Sequence, residues 1–164
     1  MELYHATIKE YENGQTYSID DYEGDNYFYT KLNDEQKKVE ELLEESRNQD
    51  TPQRRKCFFF FDNLDYCSYF FSRQYPGEPF HVYKVNVEDV RGGFPMCMVN
   101  AIKNNIELAP MMVDEYWEPK SKWNVLEYLS NKMIIIEECE VNNNHISASY
   151  QYNLDSEKAG NFNA

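Results

Sequence analysis

The chain has 164 residues, enough for one domain with a substantial core. Its composition is globular, with 41% apolar residues, and 14 Tyr and 10 Phe point to an aromatic core that includes strands. A net charge of −13 argues against generic binding to nucleic acid or an anionic membrane, while leaving room for a local basic pocket. No apolar run approaches the roughly 18 residues of a membrane-spanning helix. Cys57, Cys67, Cys97 and Cys139 are widely spaced and form no C-x-x-C. They read as reduced, buried thiols of a cytosolic protein. The acidic N-terminus carries no signal-peptide pattern, which fits a cytoplasmic location.

In chain order, residues 2–8 are predicted as a short strand, and residues 9–32 are turn-rich and polar, punctuated by "ENGQ" and "YEGDN". "NDEQKKVEELLEESRN" is a helix. Asn33 is placed to cap it, Gln36 completes a capping box, and Val39, Leu42 and Leu43 form a narrow apolar stripe. A basic loop, "QDTPQRRK", leads into "CFFFF", a buried strand. Asp62 is the expected cap of the next helix, "NLDYCSYFFSRQ", and "FHVYKVNV" is the following strand. Residues 88–107 read as irregular, broken by "RGG" and "FP". "APMMVDEYW" is a helix starting near Pro110. "NVLEYL" fits strand or helix, and "KMIIIEECEV" is a strand. "HISASYQY" alternates weakly. The expected organisation is a single domain over residues 1–152 with a loose polar tail over 153–164, of α+β class, with more strand than helix.

No dinucleotide fingerprint, phosphate-binding loop or H-E-x-x-H motif is present. His5, His81 and His145 lie far apart with no nearby Cys in sequence, so no metal is expected. The glutamates at 40–45 and 137–140 read as solvated faces. Taken alone, His5 in "ELYHAT" is a packed histidine more readily than a catalytic one.

The order of the pieces adds to this. "LYHAT" resembles the first motif of ADP-ribosyltransferases, usually Tyr-His-Gly-Thr. "RRKCFFFFDNLDYCSYFFSRQ" with "FHVYKVNVEDV" resembles the strand, helix and strand of rifampin ADP-ribosyltransferase-like proteins. "NVLEYLSNKMIIIEE" looks like the Ala-Glu-Phe-Leu segment of DNA-targeting ADP-ribosyltransferase toxins. "ELLEESRN", "TPQRRKCFFFF" and "DEYWEP" also resemble a related uncharacterised bacterial family. Together the motifs cover residues 2–141.

The resemblance implies a split, mostly antiparallel sheet with flanking helices, forming an NAD cleft. It implies that His5 binds a ribose hydroxyl, that the backbone at Ala6 holds the nicotinamide amide with Thr7 also in the NAD site, and that Phe60 packs on the nicotinamide. Glu127 is the first candidate for the catalytic carboxylate, Glu118 the second, and Glu137 or Glu138 the third. Such a carboxylate would stabilise the oxocarbenium-like ribose formed on cleavage of the nicotinamide bond. Arg47, Arg54 and Arg55 are candidates for the pyrophosphate, or else a solubilising loop. The implied function is mono-ADP-ribosyl transfer from NAD, without metal, to a protein or small-molecule acceptor, as in a toxin, effector or phage-encoded modifier. Two alternatives stand beside it. One is an inactive module that binds a nucleotide or protein, favoured by Ala6 and Phe60 where the family carries Gly and Tyr. The other is an NAD glycohydrolase.

Overall fold

The computed structural model describes residues 1–141 and 145–162. Strand β1, Glu2–Thr7, alternates with the period of a pleated strand, so Leu3, His5 and Thr7 share one face. A short β2, Thr16–Ser18, follows, then a single helical turn, α1, Tyr27–Thr30. Helix α2, Asp34–Glu45, begins with the expected box: Asn33 Oδ1 accepts from the Gln36 amide at 2.8 Å, and Gln36 Oε1 accepts from the Asn33 amide at 2.9 Å.

Strand β3, Phe58–Phe60, leads to α3, Leu64–Gln74. The cap of α3 is Asn63 rather than Asp62. Its Oδ1 accepts from the Asp65 and Tyr66 amides, a reach that Asp62, one residue further from the helix, does not make. Strand β4 is His81–Asn86.

The stretch expected to be irregular contains β5, Arg91–Pro95, and α4, Cys97–Asn104. The two glycines that look like breakers let β5 approach its partner. At Gly92, where φ is +147°, a Cβ would sit 2.8 Å from the Glu127 carbonyl oxygen; at Gly93 it would sit 2.7 Å from the Leu126 side chain. Helix α5, Ala109–Trp117, carries Pro110 in its first turn. "NVLEYL" resolves as strand β6, Leu126–Ser130, and β7 is Lys132–Cys139.

The end of the described chain is helical, not alternating and loose. Helix α6, Ile146–Gly160, buries Ala148, Tyr152, Asp155 and Ala159, a helical spacing hidden in sequence because only one of the four is large and apolar. Residues 163–164 of the expected tail lie outside the described residues. Helix therefore outweighs strand, the reverse of the sequence expectation.

The fold is α+β. One antiparallel sheet has the order β1-β4-β7-β2 and the other β3-β6-β5. They meet where Tyr4 and Phe61 exchange backbone hydrogen bonds of 2.8 and 3.0 Å. One core cluster packs the helices around Phe61, Val82, Leu129 and Tyr116; a second gathers Leu3, Phe58, Phe60, Tyr83 and Ile135.

Candidate functional site

The meeting of β1 with β3 opens a cavity of about 640 Å³. From β1 and the turn after it come His5, Ala6, Thr7 and Lys9; from the second sheet come Phe58, Phe59 and Glu127.

His5 is 9% exposed and ringed by aromatics, with its centroid 5.5 Å from Phe58, 5.6 Å from Phe60 and 6.5 Å from Tyr11. Nδ1 lies 2.8 Å from the Phe59 carbonyl oxygen. A carbonyl only accepts, so Nδ1 carries the proton. Burial pushes the imidazole pKa down to about 4, against a smaller opposing effect of that hydrogen bond. The ring is thus neutral near pH 7, with a lone pair on Nε2.

Glu127 is held differently. Its Oε1 accepts from the Tyr116 hydroxyl at 2.6 Å and from Arg54 Nη1. Arg54 also grips Glu40 as a fork, Nε to Oε2 at 2.7 Å and Nη2 to Oε1 at 3.0 Å, and donates from Nη1 to the Tyr116 hydroxyl oxygen. Its guanidinium lies 5.1 Å from the Phe59 ring centre and 5.0 Å from that of Tyr116. Burial opposes the charge on Arg54, but the Glu40 carboxylate and its neighbours outweigh it and hold the pKa above the ordinary value. Burial drives the Tyr116 hydroxyl far above its usual range, so it stays a donor.

Neither Glu127 Oε2 nor His5 Nε2 makes a hydrogen bond to a described residue. Among the described residues the sealed side-chain polar atom without a partner is His145 Nε2. Both unpartnered atoms therefore reach accessible space, and both residues line the cavity. One presents an acceptor nitrogen, the other a carboxylate oxygen.

The remaining candidates divide. Ala6, Thr7 and Arg54 line the cavity with His5 and Glu127, but Arg54 is already engaged by two carboxylates. Phe60 is fully buried in the second core cluster and does not line the cavity. Phe60 packs inward, while its neighbours Phe58 and half-buried Phe59 border the space. Arg47 pairs with Glu44 on its own helix end, and Arg55 forks onto Asp25; neither lines the cavity. Glu118 is an exposed residue ending α5, and Glu137 and Glu138 are exposed on β7.

Glu40 and Tyr116 were not singled out from sequence. Glu40 corrects the view of residues 40–45 as a solvated face: it is 7% exposed. Its signal was position, because it falls between Val39 and Leu43 on the inward stripe of α2. Among the described residues no group of three or more His, Cys, Asp or Glu side chains is placed to hold a metal ion. Nor is any of their helices long and apolar enough to cross a membrane. In comparisons with known proteins, the chain matches no family model, no curated protein and no solved structure.

Proposed function

We propose that the cavity binds NAD and that the chain transfers ADP-ribose from it to an acceptor. The observation that carries this is the convergence of His5 and Glu127, 122 positions apart and on different sheets, on one cavity with an open acceptor atom each. The volume falls in the roughly 300–1,000 Å³ range of small-molecule sites. Two antiparallel sheets meeting at β1 and β3, with the cavity at their junction, support a split-sheet nucleotide cleft.

In this scheme His5 Nε2 accepts a hydrogen bond from a ribose hydroxyl, and nicotinamide lies against Phe59. The bond from ribose C1′ to nicotinamide nitrogen breaks, its electron pair leaving with nicotinamide. Positive charge develops on the ribose beside Glu127 Oε2, which is already aimed and needs no reorganisation. An acceptor heteroatom then bonds to C1′ and loses its proton. The engagement of Glu127 by Arg54 and Tyr116 favours a second function, a binding module without turnover, because part of its charge is already compensated.

Incubation with NAD labelled in the adenylate phosphate, plus cell lysate, tests both. Labelled macromolecules are expected. Free ADP-ribose alone would make the chain a glycohydrolase. Intact NAD with every lysate would overturn catalysis and leave the binding module.

A further inference from the structure

Four cationic side chains line the cavity among the described residues: Lys9, Arg54, Arg73 and Lys103. Arg54 is held by Glu40 and Glu127, and the Lys9 amine sits 3.5 Å from the Tyr22 ring centre. Arg73 and Lys103, like Lys9, pair with no described carboxylate, whereas Arg54 pairs with two. Arg73 is also pre-positioned. Its Nη1 donates to the Tyr69 hydroxyl at 2.6 Å, and its guanidinium lies 5.9 Å from the Tyr69 ring centre and 5.8 Å from that of Tyr152. Tyr152 is in turn fixed by Asn100, whose Nδ2 donates to its hydroxyl at 2.7 Å. These bonds leave the Arg73 Nε and Nη2 donors unused among the described residues, in the fork geometry that suits a phosphate.

We propose that Arg73 and Lys103 form an anion subsite at the α3–α4 end of the cavity and take a phosphate group of its ligand. The sequence pointed instead to Arg47, Arg54 and Arg55, all of which are engaged by carboxylates. Identifying the phosphate as the diphosphate of NAD rests on the proposed function; the subsite itself does not. A phosphate carried by the acceptor would use the same chemistry.

The test measures binding of inorganic pyrophosphate, ADP-ribose and nicotinamide riboside to the wild type and to R73Q/K103Q by titration calorimetry. Both substitutions lie near the cavity rim, and an unchanged denaturation midpoint shows that the variant is folded. Pyrophosphate and ADP-ribose are expected to weaken at least tenfold and to lose salt sensitivity, with nicotinamide riboside within twofold. If pyrophosphate alone weakens and ADP-ribose does not, the subsite stands and its phosphate belongs to a second ligand. If pyrophosphate binds through Arg73 and Lys103 while neither NAD nor ADP-ribose binds at all, the subsite again stands and the proposed function falls. If pyrophosphate does not bind the wild type, or binds the variant equally, the proposal is overturned. The two cations then only complement the carboxyl ends of their helices.

Discussion

The two walls of the cavity fix a polar group by opposite means. On the β1 wall, His5 is held by the removal of water: aromatic rings surround it, one carbonyl orients it, and burial keeps it neutral. On the β6 wall, Glu127 is held by added partners: a guanidinium, a phenol and, through the guanidinium, a second carboxylate. A neutral imidazole tolerates a mostly dry site with one nitrogen bonded and the other open to the cavity, whereas a carboxylate there needs compensating charge. The β1 wall should therefore respond to pH, and the β6 wall to loss of a partner.

The largest effect is expected from R54M, which strips the counter-charge from two buried carboxylates at once. Removing one partner of a buried ion pair costs about 3–5 kcal/mol, so urea denaturation should show a loss of that order. A loss below about 1 kcal/mol would mean that the guanidinium is dispensable and that the contrast between the walls is false. Adding E40Q to R54M should recover part of the loss.

Next comes E127Q. The amide keeps one oxygen for Tyr116 and Arg54, and Arg54 keeps Glu40, so stability should fall less than in R54M. Under the proposed ADP-ribosyl transfer the missing charge matters mainly when the ribose becomes cationic, so kcat should drop by about 10²–10³ with KM within a few-fold. E118Q, at an exposed site, should behave as wild type. Loss of turnover in E118Q with activity kept in E127Q would move the chemistry out of this cavity.

The His5 wall is tested by acid. Its pKa falls from about 6.5 to about 4 on folding. Between those values the unfolded chain takes up a proton that the folded chain refuses, so acidification favours unfolding. The contribution is complete above about pH 6.5 and lost as pH falls toward 4. It amounts to roughly 3 kcal/mol at most. Carboxylates titrate in the same window, so the measurement is the difference between wild type and H5Q. The wild type should lose more stability over pH 6.5 to 4, and parallel curves would show that His5 is hydrated.

The smallest effect tests how Glu40 reaches the β6 wall. N33A removes the box that starts α2 and should cost about 1 kcal/mol. The melting transition should move, while NAD turnover stays within twofold if packing of Val39 and Leu43 alone sets the register of Glu40.

Local chemistry was largely legible in the sequence where a residue's partners are its chain neighbours, although the α3 cap fell one residue along, on Asn63. The Asn33–Gln36 box depends on residues three apart, and β1 and β3 announced themselves by short apolar or aromatic runs. His5 and Glu127 are the residues that motif order singles out, and both line the cavity. Elements whose partners are remote were not legible. Strand β5 carries glycines because β6 passes close by, and only the sheet reveals that. Helix α6 buries an aspartate that accepts from the Asn124 and Val125 amides, some 30 positions earlier.

At the site itself, the amino-acid sequence alone determined which side chains could do chemistry: a strand histidine, a strand carboxylate, a run of phenylalanines and a supply of arginines. Tertiary structure decided which of them are available. It turned Phe60 into the core and Phe59 toward the cavity, engaged Arg54 with Glu40 and Glu127, and left Arg73 and Lys103 without carboxylates. The reason is that charge compensation and burial depend on distance in space. Glu40, Arg54, Tyr116 and Glu127 come from four separate segments of the chain and become one network only when those segments pack together.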